Sequence, residues 1–331
     1  MGAGRTKWYG ICMIDMASDI GFLFPGQGSQ HTGMGRELAE RYPVARRVFE
    51  EADTILGFPV SRLCFEGPDD ELKKTENTQV ALLTVSVAAY RVLEENGYGA
   101  ALVAGHSLGE YSALVAAESL EFGDALALVR KRGQYMQEAV PPGVGGMAAI
   151  LKLPAGQLDR VLEEAAEGEV VSAANLNSPD QVVIAGHAQA VERAMALAKA
   201  AGARRAIALP VSAPFHCLLM RPAQARLKAD LAATPFRDLS MPLVNNWEAR
   251  LISRGEEARQ GLYEQIPNPV RWTDAMREMA RRGIGRFVEI GPGAVLTGLA
   301  RSIDGGLRVI KFGEPGDLDN VRTLVAGAAF A

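Results

Sequence analysis

Five residues, Gly105-His106-Ser107-Leu108-Gly109, have the form G-x-S-x-G. This is the nucleophile elbow, in which a serine sits on a turn between a strand and a helix too tight for side chains at either end. A plain strand-to-helix turn also produces such a pentapeptide. The context here favours the elbow: apolar Ala101–Gly105 reads as a strand leading into it, and Leu108–Ala117 reads as a helix leading out. At a helix N-terminus, exposed N–H groups and the helix dipole favour negative charge developing near the serine. The chemistry that follows is acyl transfer or hydrolysis through a serine ester.

A serine hydroxyl needs a base. The chain has four histidines, His31, His106, His187 and His216. His106 adjoins the serine and is expected to point elsewhere. His187 opens a helix as a surface or capping residue, and His31 lies in a polar loop. His216, in Ser212-Ala213-Pro214-Phe215-His216-Cys217, fits the hydrolase-like chain order. The sequence alone leaves it a candidate base, with His106 as the fallback. An ordinary imidazole would make acylation rise through a pKa near 6.5. Cys217 reads as a packed thiol.

The glycine-rich segment Phe24-Pro25-Gly26-Gln27-Gly28-Ser29-Gln30, the elbow, Pro214–Cys217, Asn268-Pro269-Val270-Arg271-Trp272 and Glu289-Ile290-Gly291-Pro292-Gly293 occur in one order. In these residues the chain resembles the malonyl-CoA:acyl carrier protein transacylases, from about Gly21 to the C-terminus. The resemblance implies a hydrolase-like core carrying a ferredoxin-like subdomain. It implies that Ser107 is acylated, that His216 is its base, and that the backbone carbonyl of Gln265 orients the histidine. The oxyanion hole would be the N–H groups of Gln27 and Leu108. Arg132 matches the position that grips the free malonyl carboxylate, which a guanidinium can do with two parallel hydrogen bonds. Read without the family, an arginine in Arg130-Lys131-Arg132 would be solvated, as Arg130 and Lys131 are still expected to be. Gln27, His106, Met136, Asn175 and Phe215 match further substrate-binding positions, with core filler and strand-end residue as the plain readings of Met136 and Asn175. Phe215 would crowd a branched acyl group.

The implied substrates are malonyl-CoA and the phosphopantetheine thiol of acyl carrier protein, supplying fatty acid synthesis. No metal or other cofactor is implied, and CoA enters as part of the substrate. A stand-alone loading acyltransferase of a polyketide synthase would share every residue named. A serine thioesterase or hydrolase would not need Arg132, and no HGGG-type oxyanion segment is present. A non-catalytic carrier-binding module would be free to lose Ser107 and His216. Because such carriers are acidic, a basic docking face is expected. Arg271, Arg277, Arg281 and Arg282 cluster near one helix, with Arg204 and Arg205 across from it.

Strands and helices alternate along the chain, the α/β pattern of a mostly parallel sheet flanked by helices. The expected helices include Met34–Leu56, amphipathic Asn77–Asn96, Asp124–Ala139 and Cys217–Ala232. Gly143–Gly146 reads as a flexible hinge. Residues 147–211 then run strand, helix, strand, strand, helix, strand, the ferredoxin-like order. The resulting division is a catalytic domain over 21–142 and 212–331, an inserted subdomain over 143–211, and an N-terminal extension over 1–20.

At 331 residues, of which 48% are hydrophobic and 22% charged, the chain can bury a large core and is not a disordered polymer. Lys+Arg of 35 against Asp+Glu of 39 gives a net charge of −4, without the basic excess of nucleic-acid binders. Three cysteines, Cys12, Cys64 and Cys217, lack metal-ligand spacing and fit reduced thiols in a cytoplasmic protein. No apolar run reaches the roughly 20 residues that span a bilayer. Asp15 and Asp19 interrupt the N-terminal stretch, which therefore does not read as a signal peptide. A monomer is one reading of an oligomeric state that the sequence leaves open.

Overall fold

The computed structural model describes residues 19–211 and 213–327. The N-terminal extension as far as residue 18, with Cys12, lies outside the described residues, as does Ser212. In chain order the strands are β1 (Ile20–Phe24), β2 (Leu102–Gly105), β3 (Gly145–Leu151), β4 (Val171–Ser178), β5 (Gln181–His187), β6 (Arg205–Ala208), β7 (Leu243–Val244), β8 (Leu251–Ile252), β9 (Arg286–Ile290) and β10 (Arg308–Phe312).

They form two sheets. The larger has the order β10-β9-β1-β2-β7-β8, parallel except for the β7–β8 hairpin at one edge. Every residue of β1 and β2 is buried, as expected where helices cover both faces of a parallel sheet. Phe24 and Gly105 are register partners at the C-terminal ends of these two central strands. The Gly26-Gln27-Gly28 turn and the Ser107 turn therefore emerge side by side, at the carboxyl ends of the strands where ligands bind in open α/β folds.

The smaller sheet, β4-β5-β3-β6, is antiparallel. Its elements run β-α-β-β-α-β, with helices Leu158–Ala166 and Ala188–Ala200 in the α positions. Ala148, Ile150, Val161, Ile184, Val191 and Ala194 belong to a core cluster of its own. Two backbone hydrogen bonds join it to the larger layer, Leu176 N–H to Val270 O and Val270 N–H to Ala174 O, both 2.9 Å. Residues Asn268–Trp272 thus fix one body against the other.

Glu289 in the Glu-Ile-Gly-Pro-Gly segment is fully buried and caps helix Val295–Ile303. Its carboxylate accepts from the N–H groups of Leu296 and Thr297 and from the Thr297 hydroxyl. Carboxylates are favoured at helix N-termini, where they satisfy orphan donors.

The structure corrects four sequence expectations. The stretch Met34–Leu56 is two helices, Arg36–Arg41 and Pro43–Leu56, because Pro43 lacks an N–H and Tyr42 before it is extended. Helix Thr75–Glu95 is not amphipathic but buried along nearly its whole length, with helices packed around it. Gly145 and Gly146 are not a hinge; they pair with His187 and Gly186 within β3–β5. The segment expected as helix Cys217–Ala232 opens with a short 3-10 turn, Leu218–Met220, before helix Arg221–Ala233. Among the described residues no helix is long and apolar enough to cross a membrane.

Candidate active site

Ser107 sits at φ 52°, in the left-handed region that L-residues with side chains rarely adopt. Neighbouring glycines allow it. A Cβ on Gly105 would lie 1.9 Å from the carbonyl carbon of Gly109, and one on Gly109 would lie 2.0 Å from the carbonyl oxygen of Phe24. Three further contacts pin the strained turn. The Asn246 side chain accepts from Ser107 N–H at 2.7 Å and donates to Gly105 O at 2.6 Å. The Gln265 side chain donates to Ser107 O at 3.0 Å.

The serine hydroxyl lies 2.7 Å from Nε2 of His216. Nδ1 of the same ring lies 2.9 Å from the backbone oxygen of Gln265. A carbonyl can only accept, so Nδ1 carries the proton and Nε2 is left as the acceptor facing Ser107. His216 also has a left-handed backbone, φ 59°. Burial, reinforced by the positive charge of Arg132, pushes its pKa down to about 3. Its ring is therefore neutral, in base form, far below the range of an exposed histidine.

Arg132 comes from helix Phe122–Glu138 and is 1% exposed. One terminal nitrogen donates to Gln79 Oε1 at 2.8 Å. The other donates to Gln265 Oε1 at 2.9 Å and to the Ser107 hydroxyl oxygen at 3.1 Å. Nε has no partner. No carboxylate forms an ion pair with it among the described residues, and burial lowers its pKa from the usual arginine value. A buried guanidinium held only by neutral groups, beside a nucleophile, is arranged to receive an anion.

These groups border a cavity of about 100 Å³. Gln27, His106, Ser107, Leu108, Arg132, Met136, Asn175, Phe215 and His216 all line it, so nearly every expected side chain converges there. Gln265 stands behind His216 and Arg132. The N–H groups of Gln27 and Leu108 hold no hydrogen bond to a described residue and are available to a ligand.

His106 is turned from the hydroxyl. Its Nε2 meets Asn177 Oδ1 at 2.8 Å, and its ring packs on Trp272 with centroids 5.4 Å apart. His31 is exposed outside this cavity, and His187 accepts the N–H of Val170 at the far end of β5. Cys217 is buried, donates to Pro214 O, and has its thiol pushed up to about 11 by that burial. Arg130 is not a free surface charge: it donates to Glu76 O and Asn77 Oδ1 and covers the Phe58 ring.

The sequence reading missed Gln79, Glu110, Asn177 and Asn246. One signal was present for Glu110, a lone carboxylate in the otherwise uncharged helix Gly109–Ala116. Gln79 and Asn246 stand beside other polar residues, Thr78 and Asn245, and only tertiary structure shows what they hold.

Comparison with known proteins agrees with this geometry. Residues 21–306 match the acyl transferase domain family. A protein of Escherichia coli strain K12 named malonyl CoA-acyl carrier protein transacylase is 50% identical over 299 residues, 90% of this chain and 97% of that one. The crystal structure of an acyl carrier protein S-malonyltransferase from Vibrio cholerae superposes with a TM-score of 0.90 at 45% identity, covering 92% of this chain and 100% of that one. A malonyl-transacylase solved in complex with its type II polyketide synthase acyl-carrier protein also gives a TM-score of 0.90 at 45% identity, covering 94% of this chain and all 100% of the other. With a serine–histidine pair at a nucleophile elbow and these matches over most of its length, the chain belongs to the acyl transferase family.

Proposed function

We propose that the protein moves the malonyl group of malonyl-CoA to the phosphopantetheine thiol of acyl carrier protein, through a malonyl ester on Ser107. The observation that carries this is the contact of Arg132 with the Ser107 hydroxyl at 3.1 Å. It places a buried cation within reach of the far end of an acyl group as short as malonyl bound to that serine. A malonyl group differs from an acetyl group by one carboxylate, and that carboxylate needs a fixed cation once desolvated. The names of the relatives, 50% and 45% identical, support the same substrate and acceptor.

In the first half-reaction His216 Nε2 takes the hydroxyl proton as Ser107 Oγ attacks the thioester carbonyl. The oxyanion of the tetrahedral intermediate is held by the N–H groups of Gln27 and Leu108. The carbon–sulfur bond breaks, the proton passes from His216 to the CoA sulfur, and the malonyl ester remains. In the second half, the pantetheine thiol gives its proton to His216 and its sulfur attacks the ester. Ser107 leaves and recovers the proton. The Gln265 carbonyl keeps Nδ1–H in place and stabilises the transient imidazolium. Arg132 holds the malonyl carboxylate in both halves. Met136 and Phe215 fill the walls, and His106 and Asn175 supply polar edges.

In this reading the division is a catalytic domain over 21–142 and 212–331 with a ferredoxin-like subdomain over 143–211, supported by the separate core of the smaller sheet. The site opens where the two meet. Supply of fatty acid synthesis in the cytoplasm is the proposed setting. The relative bound to a polyketide carrier supports the same transfer feeding a polyketide synthase as the second reading.

Acceptor dependence tests the proposal. Breakdown of malonyl-CoA should be slow alone and should turn over many times when holo-carrier is added, with the malonyl group recovered on the carrier. Equal turnover with and without carrier would mark a hydrolase instead.

A further inference from the structure

Glu110 follows the elbow directly and is fully buried. Its two oxygens have different surroundings. Oε2 accepts from Gln265 Nε2 at 2.8 Å and from Asn246 N–H at 3.1 Å. Oε1 has no partner, and it faces Gly261, where an added Cβ would stand 3.6 Å away. An oxygen with two donors beside an oxygen with none is an arrangement that a neutral carboxylic acid fills as readily as a carboxylate. A proton can occupy Oε1 while Oε2 keeps both bonds.

The Gln265 amide connects this carboxyl to Arg132, giving its NH₂ to Glu110 and its oxygen to the guanidinium. The other groups facing Glu110 are few. From helix Gly255–Gln265 Gly261 and Gln265 face it, and the segment after β7 presents Asn245 and Asn246, with Glu248 beyond Asn245. Its own helix adds the Tyr111 hydroxyl, which is unpartnered. Burial pushes the pKa of both His216 and His106 down. Arg132 is thus the cation of this region and Glu110 its carboxyl.

Malonyl transfer, if the proposed function holds, brings a second carboxylate to the same guanidinium. Two buried carboxylates cannot both stay ionised around one cation without a large penalty. The malonyl group would hold the guanidinium directly, whereas Glu110 reaches it only through an amide and has an oxygen to spare. We propose that Glu110 takes up a proton from solvent when the malonyl carboxylate pairs with Arg132, and releases it when the malonyl group leaves. Burial already lifts its pKa to about 7, so little more is needed.

Serine acylation itself moves no net proton, because the serine proton ends on CoA. Uptake beyond that reports Glu110. The experiment acylates the full chain without carrier near pH 8, in two buffers of different ionisation heat. Protons taken up are then counted per acyl group found on Ser107 by mass. Malonyl-CoA should show an excess over acetyl-CoA that approaches about one proton and vanishes by about pH 5, where Glu110 is protonated beforehand. Glu110→Gln, neutral and of the same shape, should lose that excess. Malonylation of Ser107 with no excess, or with the same excess in Glu110→Gln, would overturn the proposal. Should that variant fail to fold, the malonyl–acetyl contrast in the wild type decides alone. If malonyl-CoA leaves no adduct on Ser107, the transfer reading falls first and this proposal with it.

Discussion

At the scale of single residues, the proposed transfer assigns nucleophile, base and selectivity to Ser107, His216 and Arg132. Arg132→Ala should cripple malonyl loading and spare or improve acetyl loading. Loss of a buried, charge-assisted pair costs about 2–5 kcal/mol, and kcat/KM for the two thioesters should diverge accordingly. Lysine should rescue only in part, since a point charge cannot replace the planar fork. An equal fall for both substrates would make Arg132 structural. For His216, whose folded pKa lies near 3, the sign is clear: the ring is already deprotonated at pH 6.5 and stays so well below it. Loading kcat/KM should therefore not fall as pH drops through 6.5, where an unperturbed histidine would lose it. A midpoint at 6.5 would show that burial does not govern this ring. His216→Ala should slow loading by about a hundredfold or more.

At the scale of elements, the elbow works because two strands and a helix approach within contact of its glycines. Gly109→Ala would drive a methyl into the Phe24 carbonyl, 2.0 Å away, with no flexible side chain to yield. Overpacking of this kind costs about 1–3 kcal/mol or more, so a lowered Tm with loss of loading is expected. Wild-type behaviour would mean that the turn is looser than described. The same elements show what a sequence can disclose. The elbow was legible because its geometry restricts residue type at three alternate positions, Gly105, Ser107 and Gly109. So were His216, Arg132 and the pocket wall, through the order of the motifs. Asn246 and Gln79 were not, because amides do this work at positions where many polar residues would read alike. The largely buried helix Thr75–Glu95 read as amphipathic because Thr78, Gln79, Thr84 and Ser86 interrupt its apolar residues. In the fold they face inward, two of them bonded to nearby carbonyls and Gln79 to Arg132.

At the scale of the whole molecule, the two bodies leave a groove of about 560 Å³ lined by Lys152, Arg204, Arg205, Val295 and Leu299. Arg204 and Arg205 are exposed and form no ion pair among the described residues. The arginines expected opposite them are partly neutralised: Arg271 pairs with Asp274, and Arg281 and Arg282 pair with Glu278. An acidic carrier should therefore depend on Arg204 and Arg205. Reversing both charges should raise KM for the carrier and flatten its salt dependence, while loading from malonyl-CoA stays unchanged. Carrier kinetics indifferent to the reversal would move docking elsewhere. The proposed transfer depends on one covalent species, which mass spectrometry reads directly. Incubated with malonyl-CoA and no carrier, the protein should gain one malonyl group on the peptide containing Ser107, and Ser107→Ala should gain none. An adduct on another residue, Cys217 for example, or an unmodified Ser107 beside full activity, would contradict the mechanism at its root.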